Sequence, residues 1–467
     1  MCFGTCRWLS CSRGIWESLA LGAQSDLAVV TILAPRLGAG VIDYLSGLLP
    51  PGDHRCRHAL VEIDDARDCH LSEKLLENPE IIERLRSTVN LARKWGHQIE
   101  GLSCYSSSAR MAEVADRLTV ELIDAAPELL HWGTKSGSRQ VFRTTGIMHP
   151  PGSYHVVATA EGLATTLNYL TRKHGHGNWM IKADDGFGSG HGNAVIDTTR
   201  FPPPVSASTV TAALEPCAAQ ISAVEYGRRI LPTGVVVEQL IIPGPGDSLR
   251  YPSALGYLRR VPGGRVKAAL LAVHDQVLGK AGDFGGCRFP AHPGYRLQAA
   301  TTATVVLDHL AALGVTGHVG VDFIAVVGSD GRGASTLYAA EINMRQTGTT
   351  HPHQTVRALV PGTWTAWGTM INTSGYDVCY AGTDSIISPH YRGIPVAELI
   401  DALCQSPGIA FDPHKGIGVI PHLWTSLETC GKIGATFVAP SATACETLER
   451  DFTAILDDLA IKQSRRG

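Results

Sequence analysis

The spacing of apolar residues divides the chain into short strands and amphipathic helices. Residues 27–33 form a continuous apolar run that is typical of a buried strand. Residues 78–93 place isoleucine, leucine and valine at helical intervals among charges, which predicts an amphipathic helix. A strand over residues 98–104 and helical segments over residues 109–125 continue this alternation. The first part of the chain therefore predicts a small α/β domain that ends near Leu130.

A second pattern begins near Thr134 and contains both helical and extended runs. Helices are predicted over residues 135–145, 161–174, 301–313 and 442–461. Strands are predicted over residues 179–182, 235–242, 319–327 and 336–344. A glycine-rich stretch joins the last two strands and is typical of a hairpin connection. From about Tyr376 the pattern is mixed, so the predicted fold class is α/β (α+β).

Composition and charge exclude several classes of protein. A length of 467 residues is enough for two to four domains. The formal net charge is −3 and no dense basic stripe occurs, so nucleic acid is not expected as a partner. No apolar run reaches the roughly 18 residues of a membrane helix. The 12 cysteines include no C-x-x-C pair, which favours reduced thiols and a cytoplasmic location.

The first motif with chemical potential is a glycine-rich loop that follows a lysine at a strand end. After Lys182, glycine occupies every second position from Gly186 to Gly192. Glycines allow backbone N–H groups to approach an anion closely, and the lysine adds a mobile positive charge. The spacing fits neither a Walker A loop nor a dinucleotide fingerprint. The motif suits a nucleotide triphosphate, and a flexible surface loop is the alternative.

The second motif places two carboxylates and an amide on neighbouring strands. If the connection between them is symmetric about Gly331 and Arg332, Asp322 pairs with Glu341, and their side chains lie roughly 5 Å apart on one face. Residues two apart in a strand share a face, so Asn343 points the same way as Glu341. Two carboxylates and an amide oxygen suit Mg²⁺. The alternative is a solvated polar face with a neighbouring arginine as counter-ion.

A third, weaker motif ends the apolar strand over residues 235–242. There the sequence Glu-Gln-Leu-Ile occupies residues 238–241. The backbone edge at this point could offer an N–H and a C=O group to an adenine ring. Apolar strands commonly end in a polar residue, so the motif alone does not separate this interpretation from an ordinary strand end.

Taken in order along the chain, these motifs resemble the ATP-grasp superfamily. The order is a helix that begins at Lys135, the loop after Lys182, the segment 238–241, Asp322 and the segment 341–345. Four further strings are similar to the peptide ligases of pheganomycin biosynthesis. They occupy residues 134–139, 274–278, 286–291 and 348–352. One departure is Gln346-Thr347, where that family is expected to be richer in glycine, which puts the acceptor specificity in doubt.

The resemblance also implies a division into domains. Residues 1–26 are an unmatched leader, expected to be disordered. Residues 27–130 correspond to a pre-ATP-grasp domain. Residues 131–370 correspond to the ATP-grasp core, with a phosphate lid over 182–192 and metal strands over 319–345. Residues 371–467 correspond to a family-specific C-terminal domain.

The resemblance further implies ATP and one or two Mg²⁺ ions as cofactors. The residues expected to hold the phosphates are Lys135, Lys182, Gly186, Gly188, Ser189 and Gly190. Those expected at the adenine and ribose are Glu238, Gln239, Ile241 and Asp247. Those expected to bind the metal are Asp322, Glu341 and Asn343. Arg345 is expected to bind the substrate carboxylate and developing oxyanion, and His351 is a candidate proton acceptor.

The implied activity is an ADP-forming ligase that makes an amide bond through an acyl phosphate. The substrates implied are an amino acid or unusual guanidino acid and the amine of a peptide, joined in secondary-metabolite biosynthesis. Related ligases often pair, which implies a homodimer. Two alternatives stay open at this point: an ATP-grasp kinase or carboxylase, and an ATP-binding regulatory protein without turnover.

Overall fold

The computed structural model describes residues 29–37, 40–49, 58–186, 192–279, 284–329, 334–365 and 368–465. The chain forms two compact units. The first unit comprises Met1–Pro127, Gly286–Pro290 and Arg345–Gly467. The second unit comprises Glu128–Gly285 and Ala291–Met344. In the described part of the chain, no helix has both the length and the apolar character needed to cross a membrane.

The first unit begins with a two-stranded parallel sheet. Its elements are β1 (Val29–Leu33), α1 (Val41–Gly47), β2 (His58–Glu62), α2 (Leu71–Leu76), α3 (Pro79–Lys94) and α4 (Ala109–Leu118). Helix α3 begins where the Asn78 side chain accepts a hydrogen bond from the Ile81 N–H, with proline in the first turn. Buried leucines, valine and isoleucines of α2, α3 and α4 form a core over the sheet. The strand predicted over residues 27–33 and the helix predicted over residues 78–93 are confirmed.

The rest of the first unit is an antiparallel sheet with helices. Its strands pair in the order β10 (Phe284–Phe289), β15 (Cys379–Ile387), β17 (Lys432–Ala439) and β16 (Gly418–His422). The remaining elements are α10 (Thr350–Leu359), β13 (Gly362–Trp364), β14 (Met370–Asn372), α11 (Val396–Cys404), α12 (Trp424–Cys430) and α13 (Ala442–Ser464). The predicted C-terminal helix over residues 442–461 is therefore confirmed.

The second unit contains two antiparallel sheets. The smaller sheet has the strand order β5 (Glu215–Pro216), β4 (Asn193–Asp197), β3 (Asn178–Ala183) and β6 (Val235–Gln239). The larger one pairs β12 (Ala334–Asn343), β11 (Gly317–Val327), β8 (Pro252–Arg260) and β9 (Val266–Leu278), with β7 (Ser248–Arg250) beside β11. Its helices are α5 (Lys135–Thr145), α6 (Ala160–His174), α7 (Ala207–Ala213), α8 (Ala223–Arg229) and α9 (Pro293–Ala312).

Local sequence explains the ends of α5, which match the prediction. The Thr134 side chain accepts a hydrogen bond from the Gly137 N–H, and Gly146 ends the helix at a φ of 70°. Position 137 requires glycine, because the Cβ of any other residue would lie 1.9 Å from the His131 carbonyl oxygen. The helix is thus fixed at both termini by residues that the sequence makes recognisable.

Three predicted elements need correction. Residues 98–104 form no strand, since only Leu102 makes a bridge, to Leu122, and Gly101 has a φ of 141°. The helix predicted over 109–125 ends at Leu118, where Thr119 adopts a φ of 58°. The strand predicted over 235–242 ends at Gln239, because the chain leaves the sheet before its Pro-Gly-Pro-Gly stretch.

Candidate active site

The amino end of α5 connects residues from both sheets of the second unit. The Lys135 N–H donates to the Asp184 carbonyl at 3.0 Å, and the Ser136 N–H donates to Asp184 Oδ1 at 2.6 Å. A carboxylate at this end is favoured by the unpaired N–H groups and dipole of the helix. Ser138 Oγ accepts from the Ile342 N–H of β12 at 2.9 Å. These contacts fix the helix against the strand that carries the predicted metal ligands.

Lys135 forms an ion pair with one of those predicted ligands. Its Nζ lies 2.5 Å from Glu341 Oε1, and the two side chains are 10% and 19% exposed. Two carboxylates on adjacent strands repel unless a positive group lies close to them. Lys135 supplies this charge at Glu341.

A second ion cluster follows one helical turn later, around Arg139. This guanidinium donates to the Ser153 carbonyl at 2.7 Å, to the Pro150 carbonyl at 2.8 Å and to Glu238 Oε2 at 3.2 Å. Glu238 also pairs with Lys182 at the end of β3. Arg139 is 1% exposed, and its burial lowers the pKa of the guanidinium while Glu238 opposes that effect. The cluster therefore holds Lys182 and Glu238 side by side.

The predicted pairing of the metal strands is confirmed. Asp322 lies opposite Glu341, and Gly320 lies opposite Asn343. Two register shifts, after Asp322 and after Val326, then carry the ladder towards the connection, whose residues 330–333 lie outside the described part. Beside the connection Val327 pairs with Ala334, so the register that places Asp322 opposite Glu341 is reached through these two shifts and not by a connection symmetric about Gly331 and Arg332.

Two amides hold the Asp322 carboxylate. Asn343 Nδ2 donates to Oδ2 at 2.8 Å, and Gln276 Nε2 donates to Oδ1 at 2.9 Å. Among the described residues, no three His, Cys, Asp or Glu side chains group closely enough to enclose a metal. Magnesium usually takes one or two carboxylates and keeps water and phosphate oxygens. The oxygen donors of Asp322, Glu341 and Asn343 therefore fit that ion.

The edge of β6 contains the backbone groups that the adenine prediction concerns. The Leu240 N–H donates to the Asn178 carbonyl at 3.0 Å, so the backbone groups of Gln239 face away from β3. The Gln239 N–H donates to the Pro151 carbonyl at 2.7 Å. Within the described residues, the Gln239 carbonyl and Ile241 N–H take no hydrogen bond. An acceptor and a donor of this kind match the edge of an adenine ring.

Of the other residues predicted to bind the nucleotide, two are described and three lie outside the described part of the chain. Asp247 is half-buried and directly precedes β7, whose Ser248 pairs with Val327. Val327 is five ladder positions from Asp322 on β11, which is about 17 Å along the strand. Gly186 is exposed after β3. Gly188, Ser189 and Gly190 lie outside the described residues.

The two predicted catalytic residues belong to the first unit. Arg345 Nη1 donates to the Gln346 carbonyl at 3.2 Å. His351 is buried on α10, with its ring centroid 4.3 Å from that of His422. His422 Nε2 lies 2.6 Å from Asp384 Oδ1, which makes a His–His–Asp cluster.

The structure thus brings some of the predicted site residues into contact, and it shows further residues beside them. Lys135 meets Glu341, Lys182 meets Glu238, and Asn343 meets Asp322, all in the second unit. The residues that sequence reasoning missed are Arg139, Asp184, Gln276 and Asp384. Arg139 and Gln276 stand in strings that carried the family resemblance. The sequence signal that could have identified Arg139 was an arginine inside a predicted helix.

Comparisons with known proteins agree with this geometry. A family model described as IQCH-like, ATP-grasp matches residues 127–216. The L-propargylglycine–L-glutamate ligase of Streptantibioticus cattleyicolor is 27% identical over 394 residues, which cover 83% of this chain and 75% of that enzyme.

Two solved structures share the fold. Biotin carboxylase from Campylobacter jejuni, solved as a complex with β,γ-ATP, has a TM-score of 0.55 at 12% identity, covering 93% of this chain and 87% of that one. N5-carboxyaminoimidazole ribonucleotide synthetase from Thermus thermophilus has a TM-score of 0.51 at 15% identity and covers 96% of both chains. At such identities the likeness concerns the fold alone. Together with the family match over residues 127–216 and the ligase relative, it shows that this chain has the ATP-grasp fold and is similar to ATP-dependent ligases.

Proposed function

We propose that this protein joins a carboxylate to an amine, forming an amide bond and ADP through an acyl phosphate. The observation that carries the proposal is the pair of ion clusters on α5. Lys135 meets Glu341 on one sheet, and Arg139 meets Glu238, which also pairs with Lys182, on the other. One short helix therefore aligns the cations suited to phosphates with the carboxylates suited to magnesium.

The chemistry explains why such clusters are needed. A carboxylate is a poor acyl donor, because its oxygen leaves badly until a phosphoryl group is attached. Transfer of that group brings several negative charges together, and bound magnesium would neutralise part of them. Asp322, Glu341 and Asn343 are the residues proposed to hold the ion. Lys135 and Lys182 are proposed to hold phosphate oxygens.

Arg345 and His351 keep their predicted roles in this proposal. Arg345 follows Asn343 by two positions in the chain and is proposed to stabilise the oxyanion that forms when the amine attacks. Loss of one such donor commonly costs about 10²–10³ in rate. His351 is proposed to accept the proton that the amine releases.

The relative from Streptantibioticus supports an amino acid as acyl donor and an amino acid or peptide as acceptor. Its printed name gives L-propargylglycine and L-glutamate as the two compounds that it ligates. We therefore propose amino-acid substrates of secondary metabolism for this chain. The family resemblance of the sequence points to an amino acid or unusual guanidino acid as acyl donor and to a peptide amine as acceptor.

The test is a screen of amino and guanidino acids with pooled amino-acid and peptide acceptors. ADP release is followed in each mixture, and the product is identified by mass. Hydroxylamine is added in a parallel reaction, since it converts an acyl phosphate to a hydroxamate. Amide product with ADP, and hydroxamate in the trapped reaction, are the expected results.

Other outcomes would replace the proposal. A stable phosphorylated product without amide would assign a kinase, and ADP release that requires bicarbonate would assign a carboxylase. Tight ATP binding without ADP release in any mixture would assign a regulatory protein. Light scattering of the purified protein tests the homodimer separately.

A further inference from the structure

Gln276 contacts the predicted metal site from a strand that is not adjacent to it. The residue lies on β9, where its backbone N–H donates to the Tyr251 carbonyl at 2.9 Å. Its side chain extends to β11, and Nε2 donates to Asp322 Oδ1 at 2.9 Å. Strand β8 lies between these two strands. A bond that spans an intervening strand needs a matching side-chain length and an unobstructed path.

The intervening strand provides that path. Ser253 of β8 pairs with Asp322 on one side and with His274 on the other. Gln276 stands two residues after His274 and therefore shares its face. Neighbouring strands lie about 4.8 Å apart, so the two backbones are about 10 Å apart. Only a small side chain at position 253 leaves room for a glutamine to cross this distance.

The direction of the Gln276 amide follows from the chemistry of its partner. An ionised carboxylate only accepts hydrogen bonds, so the NH₂ group of Gln276 must face Asp322. The same argument applies to Asn343, whose Nδ2 donates to the other oxygen at 2.8 Å. Each carboxylate oxygen thus receives one amide donor. The plane of the carboxylate is thereby fixed from both sides.

We propose that Gln276 is a positioning residue for magnesium, acting through the Asp322 carboxylate. The inference rests on the proposed function, in which Asp322 is a metal ligand. Partners that orient a ligating carboxylate typically contribute about 10–100-fold to metal affinity or activity. Gln276 therefore sets how tightly the divalent cation is held, while the nucleotide and the two substrates are bound by other groups.

The test compares Gln276→Met with wild type. Methionine has a similar length and shape but lacks the amide, so it removes the hydrogen bond without opening a cavity. Mn²⁺ binding is measured by electron paramagnetic resonance with a non-hydrolysable ATP analogue present. We expect about tenfold weaker Mn²⁺ binding and a broader signal from the bound ion. The Mg²⁺ concentration for half-maximal ADP release should rise in proportion, with kcat restored at saturating Mg²⁺.

A second variant and two controls make the result unambiguous. Gln276→Asn keeps the amide but is one methylene too short to cross β8, so it should match Gln276→Met. Gln298→Met makes the same exchange on the exposed face of α9 and should bind Mn²⁺ like wild type. Asp322→Asn tests the metal site itself. Thermal unfolding is recorded for every variant, and a merely structural role would lower stability and kcat together without changing the Mg²⁺ requirement.

The outcomes separate the inference from the proposed function. If Asp322→Asn abolishes Mn²⁺ binding and both Gln276 variants bind it like wild type, the role of Gln276 is overturned and the metal site stands. If Asp322→Asn itself binds Mn²⁺ normally, the proposed metal site is wrong. Weakened binding in both Gln276 variants, with Gln298→Met unchanged, supports the inference.

Discussion

One cluster in each unit pairs a poorly exposed carboxylate with a different kind of basic side chain. In the second unit, Glu341 pairs with Lys135, and Glu238 pairs with Lys182 and Arg139. In the first unit, Asp384 pairs with His422. Lysine and arginine stay charged throughout the physiological pH range, whereas a histidine changes charge within it.

This difference between lysine or arginine and histidine indicates where a charge that does not depend on pH is needed. A site that binds a triphosphate benefits from cations whose charge does not depend on pH. A histidine–carboxylate contact instead fixes the ring and its tautomer. In the first unit this contact depends on Gly434 of the middle strand β17, since a Cβ there would lie 2.2 Å from His422 Nε2. The four predictions below test this contrast, from the largest expected effect to the smallest.

Glu341→Gln should abolish activity while the fold persists. The substitution removes a proposed metal ligand and the partner of Lys135, and we expect ADP release to fall by at least about 10³, as when a charged transition-state contact is lost. ADP release and thermal unfolding are the measurements. Glu161→Gln, on the exposed start of α6, is the matched control and should keep full activity. Substantial turnover in Glu341→Gln would remove the metal assignment.

Arg139→Met should cost stability as well as activity. It leaves Glu238 buried with one cation fewer and leaves the Pro150 and Ser153 carbonyls without their donor. Breaking a buried ion pair by removing one partner typically costs about 3–5 kcal/mol. Urea unfolding measures the loss, and Arg172→Met on the exposed face of α6 serves as control. A loss below about 1 kcal/mol would show that Lys182 alone neutralises Glu238.

Gly434→Ala should disturb the histidine pair of the first unit. The new methyl group would displace the His422 ring from Asp384, and overpacking of this kind costs about 1–3 kcal/mol. Gly408→Ala is the control, because a Cβ there meets nothing within 4 Å. Chemical unfolding and the histidine ring signals in nuclear magnetic resonance report the change. Equal stability of the two variants would contradict the need for glycine at position 434.

Acid should destabilise the second unit through its buried histidines, one of which is His318. Burial lowers the pKa of His318 to about 4, from 6.5 for the free side chain. Between these values the unfolded chain binds more protons than the folded one, so stability falls as the pH drops below 6.5. Every tenfold change in proton affinity corresponds to about 1.4 kcal/mol. Between pH 7 and pH 5 we expect a loss of about 2 kcal/mol from this residue.

Urea unfolding at pH 7, 6 and 5 measures this loss. His318→Gln removes the titrating group and should show a shallower pH dependence than wild type. His309→Gln, on the last turn of α9, is the control and should follow wild type. Parallel curves for His318→Gln and wild type would show that another group governs the acid sensitivity.

Local patterns were enough to predict much of the site. The limits of α5 match the helix predicted over residues 135–145, and the structure shows a capping threonine and a terminal glycine at its ends, both of which act within one helical turn. The pairing of Asp322 with Glu341 was predicted from a symmetric connection, whereas the structure reaches that pairing through two bulges that the sequence pattern did not indicate. The strand over residues 98–104 failed, since a strand also needs a neighbour, and no local pattern supplies one.

By itself, then, the sequence indicated several of the helices and strands, and it supplied the residues that we propose to bind a metal and a triphosphate. Only the tertiary structure decided the partners: Arg139 on Glu238, Gln276 on Asp322 across β8, and His422 on Asp384 over a glycine. Each of these contacts joins positions at least 38 residues apart. Side-chain periodicity encodes which face a residue occupies, whereas the residue that meets it there depends on how separate elements pack.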